Sequence, residues 1–265
     1  MRRDSKVLLI GMVTVIIIAG TLGLVDPIRQ NPMYHRFADQ RVWASIPHIG
    51  DVLSNIAFAA AGLFGLFAIW ADARRPDHTV RIWLTPYTTF FIGIALVSAG
   101  SAYYHWAPDN ASLVWDRLPM TIAFMGLFIS VVTDRMGPST GKALFVPLLV
   151  GGVVSVIYWS YSGDLRPYGL VQFLPIALLV LMCWLFPAHH GLYGKYLGAI
   201  FLLYGAAKIF EYYDRQIWDL LGHTLSGHTL KHLFAAAATA AVAWFLYKKE
   251  HHRHAHHHTH HTARH

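Results

Sequence analysis

Two stretches of an otherwise apolar chain carry residues whose types and spacing could do chemistry. In SGHTLKH, His228 and His232 stand four residues apart, so on a helix they project from one face about a turn from each other. That spacing lets one helix give two imidazoles to one ion. In GSAYYHWAPDNASLVWDRLPM, His105 ends a different apolar segment, and Ser101, four residues earlier, shares its face one turn deeper. Pro108, Asp109 and Asn110 are turn formers, so the connection from Ala107 to Ser112 reads as a short hairpin between antiparallel helices. Asp116, in the first turn of the next helix, then returns to the level of His105. Three neutral imidazoles with an open fourth position suit catalytic zinc, which brings the pKa of a bound water to about 7. A carboxylate beside that water can take its proton, and a hydroxyl can hold the water or a developing oxyanion. Each residue also has a plainer reading. His105 can be an interfacial or packing residue, Ser101 a small residue for close helix contact after Gly100, and Asp116 a helix-start charge or the partner of Arg117 or Lys231.

The elements that must position these residues are membrane helices. Hydrophobic residues make up 55% of the 265-residue chain and charged ones only 13%, about half the share usual in a soluble domain. The apolar residues come in long blocks cut by short charged loops, the pattern of a polytopic helical membrane protein. The run 7–25 contains no charge and follows Arg2, Arg3 and Lys6, as a signal anchor or a signal peptide would; retention as an anchor is the preferred reading. Seven further spans are expected at about 51–71, 82–106, 114–133, 143–160, 169–186, 194–213 and 227–247. The expected fold is therefore all-α, a seven-helix membrane core plus one extra amino-terminal helix. Its parts are an anchor and outer loop at 1–45, the core at 46–247 and a histidine-rich tail at 248–265.

With the amino terminus on the cytoplasmic side, most of the short-loop Lys and Arg fall inside, as the positive-inside rule asks. Both polar stretches then share the outer leaflet. The net charge of +7 sits in connections and at the ends rather than along one face, so it argues topology and not nucleic acid. Cys183 is the single cysteine, which leaves histidine and carboxylate as the metal ligands. Nine histidines in HHRHAHHHTHHTARH read by composition as a disordered cytoplasmic tail. Glu211 and Asp214, in KIFEYYDRQIWD, are expected to pair with Arg117 and Lys231. His223, five before His228, is expected in a loop.

Taken together, GSAYYH, the aspartate of WDRLPM eleven residues on, GHTLKH in the last helix and SNIAFAAAGLFGL from Ser54 to Leu66 resemble the alkaline ceramidases. That family belongs to a superfamily of seven-helix membrane hydrolases that also includes the progestin and adipoQ receptors. The resemblance covers residues 46–247. It implies zinc on His105, His228 and His232, Asp116 as proton shuttle, Ser101 near the zinc-bound water, and hydrolysis of the ceramide amide to a fatty acid and a sphingoid base. The sequence departs from the family before the first core helix, where an acidic calcium site is replaced by Asp39 and Asp51 without glutamate, and where His48 stands in place of an acidic residue. The implied partners are the bilayer and a ceramide-like lipid, without nucleic acid. Two other classes remain open: a membrane zinc transporter or metal-binding receptor-like protein, and a bis-histidine haem protein, which wants histidines facing each other across helices.

Overall fold

The computed structural model describes residues 2–73, 84–187 and 194–261, with side chains as far as Lys248 at the carboxyl end. The connections 74–83 and 188–193 lie outside the described residues. The described chain is an all-α bundle. In order it comprises α1 (Arg3–Leu24), a long loop with a 3-10 turn at Pro32–His35, α2 (Ile49–Leu53), α3 (Ile56–Ala73), α4 (Leu84–Trp106) and α5 (Asn110–Met136). Then come α6 (Pro138–Ser162), α7 (Arg166–Leu185), α8 (Gly194–Tyr212), α9 (Asp214–Leu220) and α10 (Gly227–His261). Among the described residues, six helical stretches are long and apolar enough to cross a membrane: α1, α2 with α3, α5, α6, α7 and the Gly227–Lys248 part of α10. α4 and α8, of 23 and 19 residues, stand in the same bundle at the other two expected positions.

Packing follows from the small residues. Apolar side chains gain little by leaving lipid for one another, so helix contact in a membrane depends on how closely two backbones can approach. α4 and α5 form the most extensive pair. A Cβ on Gly93 would lie 2.6 Å from the Ala123 nitrogen, and one on Gly126 equally close to that of Phe90. One seam higher, a Cβ on Gly100 would collide with the carbonyl of Trp115. That carbonyl lacks its usual helical donor because Pro119, four residues on, has no N–H. α3 bridges α4 and α10, α8 lies on α10, and α5 also packs on α6 and α7.

α1 is an outer helix. It buries none of its side chains and rests on α7 alone among its principal neighbours. Both ends are tied: Lys6 Nζ donates to the Leu185 carbonyl at 2.5 Å, and Arg166 Nη1 to those of Leu22 and Val25 at 3.1 and 2.5 Å. Arg166 is itself held by Asp164 at 2.8 Å. At the other terminus the backbone of α10 continues helically to His261, where composition leads one to expect an irregular tail. No Gly or Pro follows Gly227 to break the ladder that the membrane segment begins.

Candidate metal centre

The carboxyl end of α4 and the amino ends of α2, α5 and α10 meet at one end of the bundle, and the polar residues gather there. α5 starts at Asn110, earlier than its apolar block suggests, because Asp109 closes a capping box. Its carboxylate accepts from Ser112 N at 2.6 Å, and Ser112 Oγ accepts from Asp109 N at 3.1 Å. The earlier start moves Asp116 into the second turn. It therefore sits level with Gly100 and Ser101, one turn deeper than His105, and its side chain meets that of Ser101. The absent side chain of Gly100 is what lets the α5 backbone come this close.

His105, His228 and His232 come together as the spacing argument requires. All three are at most 4% exposed, and one ligand atom from each lies within 4.8 Å of the others. Among the described residues this is the one group of three or more His, Cys, Asp or Glu side chains able to hold a metal ion. The Nε2 atoms of His105 and His228 are 3.2 Å apart. A tetrahedral ion with nitrogens at 2.0–2.1 Å would set them about 3.3 Å apart, so the spacing suits a shared ion as well as an N–H···N hydrogen bond. The third ring is fixed from behind: His232 Nδ1 is 2.7 Å from Ser54 Oγ, whose own proton goes to the Asp51 carbonyl at 3.0 Å. Ser54 must then accept from Nδ1–H, which leaves the Nε2 lone pair of His232 facing the other two rings. Three imidazole nitrogens at these distances fit a bound metal ion.

The loop between α1 and α2 covers the triad. Phe37, 3% exposed, packs edge-on against His105 and His228 with ring centroids 4.5 and 4.7 Å away. Its loop is latched by several groups. Ala38 N donates to Asp214 Oδ2 at 2.8 Å, while Asp214 Oδ1 accepts from His228 N at 2.8 Å. His35 bridges Tyr104 and Asn110 at 2.9 and 3.0 Å. Asp39 takes the Arg41 guanidinium at 2.8 and 2.7 Å and Gly50 N at 2.9 Å. Burial pushes the Asp39 carboxyl upward, but the hydrogen bonds from Arg41 and from the Gly50 amide outweigh it and hold the group below its ordinary value. Ala44, Ser45 and His48 adopt positive φ to close the turn. Asp39, forked by Arg41 and bonded to Gly50 N, ties the loop to α2, and Asp51, engaged by Ser226 and Thr229 at 2.7 and 2.8 Å, ties α2 to the start of α10.

The expected ion pairs form only in part. Glu211 binds Lys231 at 2.7 Å and Lys208 at 2.7 Å. Among the described residues Asp214 forms no ion pair; it caps α10 and latches the loop. Arg117 pairs with neither acid, because its guanidinium is drawn over the rings of Trp159 and Tyr168, 4.1 and 4.6 Å from their centroids. Lys231 Nζ also lies 3.3 Å from His228 Nε2. His223 sits in the loop with φ +62°, as expected. Residues that spacing could not single out are Ser54 and Phe37, since each acts through a contact with a distant part of the chain; Lys208, three residues before Glu211, shares its helix face and could have been found by that spacing.

Two cavities meet at the site and share Asp116, Met120, Lys208 and Lys231. A narrow one of about 150 Å³ is lined by Ser101, Asp116 and His232 at its head, then by apolar side chains of α4, α5, α7, α8 and α10. It runs from Asp116 to Leu127 along α5 and from Lys231 to Val242 along α10, roughly 16 Å at 1.5 Å per residue. A wider one of about 630 Å³ lies between α1, α5, α7 and the ends of α8 and α10. α7 and α8 face each other across this space, linked by Gln172 Nε2 donating to Tyr204 OH at 3.3 Å. Scanned against family models the chain matches none, and no curated protein matches it.

Proposed function

We propose that this is a zinc-dependent intramembrane hydrolase that cleaves the amide of ceramide or a related long-chain lipid amide, as its resemblance to the alkaline ceramidases implies. The observation that carries the reading is the apolar slot that begins at Ser101, Asp116 and His232 and runs roughly 16 Å into the bundle, about half of a 30 Å hydrocarbon core. An acyl chain lying in it would put its carbonyl carbon at the polar head of the slot. A soluble substrate would have no use for such a channel, and lipid could enter sideways between α7 and α8.

Zinc on His105, His228 and His232 would supply a Lewis acid and a water made acidic enough to attack at neutral pH. The chain's own residues do the rest. The Asp116 carboxylate accepts the water's proton and returns it to the leaving amine. Ser101 donates its hydroxyl proton toward the developing oxyanion, and it orients the Asp116 carboxylate when the site is empty of substrate. Ser54 keeps His232 in the tautomer that presents Nε2 inward. Phe37 shuts bulk water out above the triad, which strengthens every charge interaction beneath it. In this reading the site opens to the outer leaflet and the carboxyl-terminal tail is cytoplasmic.

The test is fatty acid release from a panel of ceramides and other acylated lipids by the purified chain, beside Asp116→Asn and His228→Ala, with zinc measured in each. Wild type should hydrolyse at least one lipid amide. Asp116→Asn should keep its zinc and lose about 10²- to 10⁴-fold in rate, and His228→Ala should lose both zinc and activity. Equal release by all three proteins would sink the mechanism. Zinc uptake into proteoliposomes without any lipid hydrolysis would favour a transporter instead.

A further inference from the structure

Arg117 is the charged group that the hydrolytic reading leaves unused. It is 5% exposed, yet among the described residues no carboxylate forms an ion pair with it; Asp116 acts on it only through space. Nη2 donates to the Gln30 side chain at 2.7 Å, the two aromatic rings cover its faces, and Nη1 is buried with no partner. A guanidinium without a directly paired carboxylate is costly to hold at this depth, and an orphaned N–H adds to the cost. The fork lines the wider cavity together with Lys208, Lys231, Glu211 and Asp116. Both lysines share the single carboxylate of Glu211, so the chamber stays net positive even with Asp116 ionised. Arg166, at the rim, is already satisfied by Asp164.

We propose that this chamber receives the amine-side portion of the substrate and that it is built for an oxyanion there, a carboxylate or phosphate carried on the lipid, with Arg117 as the forked ligand. The inference rests on the hydrolytic reading for the position of the amide, and it names the substrate class: acidic lipid amides over neutral ones. Two features of the site fit. A planar fork whose buried Nη1 has no partner can offer that N–H to a carboxylate or phosphate oxygen, with its second donor shared with Gln30, in a geometry that a lysine ammonium lacks. The cavities join at Asp116, so an acyl chain in the narrow slot leaves the other side of the amide pointing toward Arg117.

The test is a binding titration on the full-length chain in detergent, stripped of metal so that a carboxylate cannot score by binding zinc. The probes are N-palmitoylglycine and N-palmitoylethanolamine, which share chain and amide and differ in the acid. The acidic lipid should bind about tenfold or more tightly than the neutral one, and Arg117→Met should bring the two to near equality. Should the Met variant fail to fold, Arg117→Lys reads the same point. It keeps the charge and loses the fork, so a preference reduced several-fold supports the assignment and an undiminished preference overturns it. Equal binding of the two lipids to wild type, or full preference in Arg117→Met, overturns it as well. Acetate or inorganic phosphate displacing the lipid at equal concentration would make this a free-anion site and reject the substrate assignment. A preference that persists while no lipid amide is hydrolysed would leave the anion chamber standing and remove only the hydrolase.

Discussion

Ser54 and His232, 178 residues apart, meet at 2.7 Å, and the contact decides which nitrogen of His232 faces His105 and His228. The hydroxyl proton of Ser54 is committed to the Asp51 carbonyl, so the imidazole must carry its hydrogen on Nδ1. Ser54→Ala removes that direction while leaving all three candidate ligands. We expect zinc affinity to fall about 10- to 100-fold, read by competition with a chelator of known affinity. Affinity equal to wild type would mean that the tautomer is set elsewhere.

Gly100 is predicted to be the least replaceable small residue of the α4–α5 seam. A Cβ there meets the Trp115 carbonyl, whereas at Gly151 it meets nothing within 4 Å. Gly100→Ala should cost about 1–3 kcal/mol and separate Ser101 from Asp116, seen as a lower unfolding temperature in detergent together with reduced hydrolysis. Gly151→Ala, on the open face of α6, serves as the control and should change neither. If both variants unfold alike, close approach at Gly100 is not what places Asp116.

The slot makes a prediction about chain length. Ala238, 6% exposed, lines it beyond the lysines. Ala238→Phe should fill the far end, lower kcat/KM for long-chain amides by about 10- to 200-fold, and spare short-chain ones. A uniform loss across chain lengths would argue that the acyl chain lies elsewhere.

The cap should open with acid. Asp39 has its folded pKa held below the usual carboxylate value by Arg41 and Gly50, against the upward push of burial. Its contribution is therefore fully present above the unfolded pKa of about 4 and is lost as pH falls through the lower folded value. Limited proteolysis of the loop containing Phe37 should stay slow at neutral pH and accelerate only in that acidic window. Asp39→Asn should be cut faster at neutral pH and lose the acid-dependent step. Identical digestion of the two proteins across the range would show that Asp39 is not the latch.

What the sequence by itself determined are the features that depend on neighbours along the chain. Block hydropathy marks the helices because a span must satisfy its own backbone in lipid. The four-residue spacing of His228 and His232 puts both on one face, and the turn at Pro108 returns α5 alongside α4. Local pattern also misleads at the margins: the apolar block of α5 suggests a start near 114, but the Asp109 cap starts it at Asn110 and moves Asp116 one turn deeper than His105. Only the tertiary structure decided which distant groups meet. Ser54 behind His232, Phe37 over the triad, Lys231 beside Glu211 and Arg117 between aromatic rings are contacts between separate helices or loops, where no periodicity leaves a trace. The same holds for the ion pairs. Arg117, Lys231, Glu211 and Asp214 allow several pairings on charge alone, and the geometry selects Glu211 with both lysines because the rings of Trp159 and Tyr168 take the guanidinium. That choice, invisible to composition, leaves a buried cation without a direct ion pair among the described residues.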